Sequence, residues 1–166
     1  MIARTSTEPP VDDGDRAVGQ RASSFTDLYE RELALQLRRA TLLIGNPHTA
    51  RDLVHDVFAD LYERWDRLDQ PGSYLNVAVI NRCRDHARKR RRRSQQQLVI
   101  TSTDEAEMDE LWDVLQQLPF NHRAVLVLRF YHQMTDREIA ECLGCRVGSV
   151  GPWLHRGLSQ LRKELT

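Results

Sequence analysis

Apolar residues along the chain recur at intervals of three and four, and no useful stretch alternates. The pattern therefore predicts helices and no strands. The clearest period belongs to Ala50, Leu53, Val54, Val57, Phe58, Leu61 and Trp65, at i, i+3, i+4, i+7, i+8, i+11 and i+15. Its opposite face carries Asp52, Asp56, Asp60 and Glu63. Before it, Leu28, Leu35 and Leu42 mark a helix from Phe25 that Gly45-Asn46-Pro47 stops. After it, "DQPGSY" (69–74) reads as a turn with Ser73 as N-cap, and a third helix runs from about Tyr74, burying Leu75, Ala78, Val79 and Cys83.

Periodicity lapses over 94–107, "SQQQLVITSTDEAE", which reads as a linker. It returns at Leu111, Val114, Leu115 and Leu118, and Pro119 ends that helix. Asn121 is placed to cap the next helix, which buries Ala124, Val125, Leu128 and Tyr131. Thr135 and Glu138 form a T-x-x-E capping box before Ile139, Ala140 and Leu143, with Gly144 as the helix stop. A last stripe is Val150, Leu154, Leu158, Leu161 and Leu165. Residues 1–22 lack a helical period and read as a disordered tail. The fold class is all-α: two small helical domains, 23–93 and 108–166, joined by a flexible linker.

The formal net charge is zero, but it conceals segregation. Residues 82–93 hold eight Arg/Lys against one Asp, and 104–113 hold six acidic groups and no basic one. A basic block is an electrostatic footprint for polyanions. The three cysteines, Cys83, Cys142 and Cys145, lack a disulfide-framework spacing. No apolar run approaches the roughly 20 residues that span a bilayer, so no membrane insertion is expected. The N-terminus has no apolar core of a signal peptide. The expected location is the cytoplasm, with reduced thiols.

"TDREIAECLGCRVGSVGPWLHRGLSQLR" (135–162) has the capped short helix, glycine turn and second amphipathic helix of a helix-turn-helix. A plain helical hairpin satisfies the spacing equally; the basic end of the last helix (Arg156, Arg162, Lys163) favours DNA. Cys142-Leu-Gly-Cys145 is a CxxC without a second ligand pair, and small apolar filler is the preferred reading over redox or zinc chemistry. No phosphate loop or nucleophile–base spacing supports catalysis. Neither an enzyme nor a cofactor is expected.

"LPFNHRAVLVLRFYHQMTDREIAECLGCRVGSV" resembles region 4 of the sigma-70 family, through Leu118, Pro119, Arg123, Val125, Leu128 and Arg129. "FTDLYERE", "ARDLVHDVFADLYERWDRL" and "PGSYLNVAVINRCRDHARKRRR" resemble region 2. Both regions in order on a short chain are similar to the extracytoplasmic-function (ECF) type. The resemblance implies a sigma factor that binds core RNA polymerase at the β′ clamp helices and the β flap, melts and reads a promoter −10 element, and docks on the −35 element. It implies polymerase contacts at Asp52, His55, Asp56 and Phe58. For the −10 strand it implies Asn76, Asn81, Arg82, Arg84 and Arg88, with Tyr74 undecided. An anti-sigma factor is the usual regulator in the family. Two other readings stay open: a sigma-like decoy or adaptor, and a stand-alone helix-turn-helix repressor.

The chain departs from the family pattern at "RVGSVGPWLHR" (146–156), where Gly151, Pro152 and Trp153 stand in place of Lys-Ser-Arg. The remaining −35 candidates are Arg146, Ser149, Trp153 and Arg156. Proline in a helix interior costs roughly 3 kcal/mol, but little in the first turn. The expectation is a delayed or kinked start, with Ser149 as N-cap and helix continuing from Trp153.

Overall fold

The computed structural model describes residues 13–96 and 110–165. These form α1 (Asp13–Ile44), α2 (Pro47–Arg64), α3 (Pro71–Gln96), α4 (Glu110–Gln117), α5 (Phe120–Leu126), α6 (Asp136–Leu143) and α7 (Val147–Glu164). A single 3₁₀ turn, Trp65–Arg67, follows α2, and α5 runs on as a π-helical turn, Val127–Tyr131. No strand occurs among the described residues. The acidic stretch 104–109 and most of the expected linker lie outside them; α3 itself takes the linker's first three positions, ending at Gln96.

The helix boundaries follow from local chemistry. The Asn46 side chain accepts a hydrogen bond from the Thr49 amide at 3.0 Å, and Pro47 fills the first helical position of α2. Thr135 and Glu138 complete the expected capping box of α6, and Gly144 closes it at φ 63°. Other boundaries differ from expectation. α1 begins at Asp13, inside the stretch expected to be disordered, and Arg21 ties it down with an ion pair to Asp66 at 2.6 Å and a bond to the Tyr62 carbonyl. α3 begins at Pro71 rather than at a Ser73 cap, because proline is tolerated at a first helical position. Asn121 caps nothing; the N-cap of α5 is Pro119, two residues earlier, and the helix starts at Phe120. Tyr131 is 53% exposed, since the π-helical turn rotates it off the α-helical stripe.

One buried cluster runs through both lobes. Leu43, Val79, Ile80 and Cys83 of the first meet Leu128, Ile139 and Cys142 of the second. Of the row Leu28, Leu35 and Leu42, Leu28 is buried and Leu42 packs against the core, but Leu35 is exposed while Gln36 and Arg39 are buried. Arg39 donates to Asn76 Oδ1 at 2.6 Å and to Gln36 Oε1 at 3.1 Å, and Gln36 Nε2 donates to the same Asn76 oxygen at 2.8 Å. This polar knot gives all three side chains a partner, although Arg39 Nε is buried without one. It also explains why an apolar period misplaces the face of α1.

A second cluster, Leu115, Leu118 and Leu126, packs under Leu154, Leu158 and Leu161 of α7. Gly157 lets α7 approach α5: a Cβ there would lie 3.0 Å from Leu126 Cδ1 and 3.3 Å from the His122 carbonyl oxygen. Gly157→Ala should therefore destabilise the second lobe by about 1–2 kcal/mol, although alanine is the better helix former. Urea unfolding followed by circular dichroism checks this; a gain in stability would show that α5 and α7 can part freely.

Candidate nucleic-acid interface

Three surfaces carry the residues singled out by sequence. On α2, Asp52, His55 and Asp56 are exposed on one face, as their i, i+3, i+4 spacing dictates. Tyr29 Oη lies 3.4 Å from His55 Nε2. Phe58 does not belong with them. It is 3% exposed, wedged edge-on against Tyr29 (centroids 4.8 Å apart) and Phe25 (6.4 Å). Phe58 falls on the apolar stripe of α2, and that burial removes it as a surface contact. The exposed aromatic beside this face is Tyr62, 4.9 Å from Phe25 and under the Arg21 guanidinium. Sequence reasoning missed it; its position between Leu61 and Glu63 on the stripe's edge was the available signal.

The second surface lies between α2 and α3. A cavity of about 310 Å³ is lined by Tyr74, Val77, Asn81, Arg82 and Asp85 of α3 and by Asp60 and Arg64 of α2, among others. Arg82 Nη2 pairs with Asp60 Oδ2 at 2.7 Å, which holds the guanidinium at the rim. Asn81 is exposed and accepts from Arg84 Nη1 at 3.2 Å. A ring face, an amide and a guanidinium around one hollow are the groups that hold an unstacked base. Asn76 is not among them, because its side-chain oxygen is spent on Gln36 and Arg39 beneath the helix. Arg84 also faces the other way: it donates to the Leu143 carbonyl of α6 at 2.9 Å and lies over the Phe120 ring. Arg88 is exposed and pairs with Asp85 at 2.9 Å.

The third surface is the N-terminal end of α7. The helix starts at Val147 with Arg146 as N-cap, so Pro152 is its sixth residue. The expected late start at Ser149 is thereby corrected. Pro152 and Gly151 are exposed and Gly148 faces open space, so the carbonyl left without its helical donor can turn to water. Arg146 and Arg156 are exposed and Ser149 is half-buried. Trp153 packs against the core cluster, so much of its ring is unavailable to DNA. The exposed face between the two arginines is Val147, Gly148, Gly151, Pro152 and His155, which carries no Lys or Arg.

The cysteines serve the core. Cys83 and Cys142 are buried, and burial pushes the Cys83 thiol up to about 12 and raises Cys142, so both stay protonated. Among the described residues no group of three or more His, Cys, Asp or Glu side chains is placed to hold a metal ion.

The family model for sigma-70 region 2 matches residues 28–93, and that for sigma-70 region 4 matches residues 108–161. The RNA polymerase sigma-E factor of Streptomyces coelicolor is 35% identical over 139 residues, 78% of each chain. This chain belongs to the sigma-70 family and is an ECF sigma factor. The ECF RNA polymerase sigma factor SigW of Bacillus subtilis is 27% identical over 167 residues, 86% of this chain and 88% of that one. The fold matches that of the sigma factor RpoE of Bartonella quintana, solved with the anti-sigma factor NepR. There the TM-score is 0.69 at 19% identity, over 86% of this chain and 96% of that one. CnrH, solved with the cytosolic domain of CnrY, matches with a TM-score of 0.64 at 25% identity, over 89% and 93%. As a sigma factor the chain is a non-enzymatic initiation factor.

Proposed function

We propose that residues 23–93 of this ECF sigma factor bind core RNA polymerase and the opened −10 element, that 94–107 link the lobes, and that 108–166 dock on the −35 duplex. The exposed carboxylates Asp52 and Asp56, with His55 and Tyr62 beside them, form the polymerase face toward the β′ clamp helices. Charge complementarity there sets partner choice and encounter rate. Phe130 and Tyr131, 62% and 53% exposed, give the second lobe an apolar surface suited to the β flap. The observation that carries the −10 assignment is the hollow of Tyr74, Asn81 and Arg82. Arg88 and the exposed arginines after it would follow the backbone phosphates. Initiation places the protein in the cytoplasm with the polymerase. Among the described residues, no helix is long and apolar enough to cross a membrane. An anti-sigma factor is proposed as its regulator, by analogy with the two solved complexes.

Run-off transcription with core polymerase tests the reading. The double variant Asp52→Arg/Asp56→Arg should lose polymerase binding and initiation together. Tyr74→Ala/Asn81→Ala should keep polymerase binding but lose initiation by roughly tenfold or more, given stacking worth about 1–3 kcal/mol per base. Polymerase binding by the unaltered chain without promoter-dependent initiation would instead favour the decoy or adaptor. That second reading rests on the cation-free stretch of the α7 face.

A further inference from the structure

Where the lobes meet, a cavity of about 580 Å³ opens between the basic half of α3 and the α4–α5 turn. Arg84, His86, Arg88, Arg90 and Arg91 line one wall and Arg123 the other, and no carboxylate lines it among the described residues. Apart from its cations the lining is apolar or amide, with Phe120 and Gln116 on the second-lobe side.

The cations are only partly compensated. Arg88 has Asp85, and Arg84 is held by the Leu143 carbonyl. Arg90 reaches only the Ile44 carbonyl, at 3.4 Å, and no ion pair of Arg91 occurs among the described residues. Arg123 is 5% exposed. Its Nη1 donates to the carbonyls of Leu115, Gln116 and Leu118 at 3.0–3.4 Å, while its Nε is buried without a partner. Burial and the charge of Arg90 lower the Arg123 guanidinium to about 10. Burial, with Arg90, Arg93 and Lys89, lowers His86. Like charges thus converge on a partly dehydrated space that an anion would relieve.

We propose that this inter-lobe cavity binds a small anion bearing condensed phosphates, on the scale of a mononucleotide polyphosphate. Forked guanidiniums suit phosphate oxygens, and Phe120 offers an apolar platform beside them. The volume lies in the range of small-ligand sites and is bounded by both lobes, which favours a compact ligand over a nucleic-acid strand. Because residues of α3 and α5 share the site, the ligand would hold the lobes together. It would also compete with promoter DNA for Arg84 and Arg88.

Titration calorimetry of the full chain with sodium tripolyphosphate, at 150 mM salt and without polymerase or promoter, tests this independently of the transcription reading. One site is expected, weakened roughly tenfold in Arg90→Gln. It should be unchanged in Arg92→Gln, which removes the same charge from the same helix outside the cavity. Circular dichroism confirms that each variant is folded. Equal weakening in both variants, more than one site, or no heat at this salt would overturn the proposal. So would an oligothymidylate binding with the same Arg90 dependence that tripolyphosphate fails to displace. Binding seen only after Asp104, Glu105 and Glu107 are neutralised would assign the cavity to the chain's own acidic stretch, and would likewise overturn it.

Discussion

Phe58→Ala should lower the stability of the protein by about 4 kcal/mol, the loss expected when a buried phenylalanine is truncated in a packed core. Phe58 is 3% exposed and meets Tyr29 and Phe25 edge-on, with Val54, Val57 and Leu61 on the same stripe. The void would form where α1 and α2 pack, and neither helix can collapse into it without parting the Phe25–Tyr62–Trp65 contacts. A drop of that size moves the melting temperature of a chain this long by roughly 8–16 °C. Polymerase binding would fall as well, but only as the folded fraction falls. Phe58→Leu separates the two causes. It costs about 1 kcal/mol and leaves the exposed face of α2 as it was, so polymerase affinity should stay within twofold. A tenfold loss of affinity in a stable Phe58→Leu protein would restore Phe58 as a contact residue and overturn the assignment to the core.

The same residue shows what the sequence can and cannot reveal. The period of α2 was plain, because its buried positions are all apolar, and that period alone places Phe58 inward. The family resemblance pointed outward, and packing decides for the period. α1 is the opposite case. Its buried face includes Gln36 and Arg39, whose burial depends on Asn76 forty and thirty-seven positions away. No local pattern encodes that pairing, so Asn76 read as a base-reading amide and Leu35 as core. The hollow of Tyr74, Asn81 and Arg82 was half legible. The residue types stood out, but the Asp60 that positions Arg82 comes from another helix.

Union of the lobes was the least legible feature. Charge and periodicity divide the chain into two helical units, and each reads as complete. Yet Arg84 Nη2 donates to the Leu143 carbonyl, Gln116 donates to the Leu42 carbonyl at 3.1 Å, and a single buried cluster crosses between the units. Gly45, at φ 86°, is where Gln116 enters: a Cβ there would lie 2.8 Å from its side chain. Backbone carbonyls at helix ends are anonymous in sequence, so bonds made to them leave no trace in the pattern. In this arrangement Arg84 is occupied by α6 and is not free to follow DNA; reading a −10 strand with it requires the lobes to separate.

Pro152→Ala should raise stability by about 2 kcal/mol. Pro152 is the sixth residue of α7, where an amide would donate to the Gly148 carbonyl. Restoring that bond and removing the ring returns about 3 kcal/mol, and the freer unfolded chain takes back about 1. The melting temperature should rise by roughly 4–8 °C. An unchanged value would mean that the helix starts later in solution, with Pro152 in its first turn, where its missing N–H costs little. Function adds a second readout. Trp153 packs on the core and is best left in place, so the family-like change here is Gly151→Lys/Pro152→Ser alone. Gly151 is exposed and a Cβ added there would meet nothing within 4 Å, so a lysine would extend from the face proposed to meet DNA without disturbing the fold. One added phosphate contact should tighten binding to a mixed-sequence duplex and steepen its salt dependence by about one unit of slope. The two effects are separable, because Pro152→Ala adds no charge and should leave that slope as it is. A steeper slope in Pro152→Ala would mean that the proline holds Arg146 or Arg156 away from the phosphates, so that backbone shape, rather than missing charge, limits how this helix meets DNA.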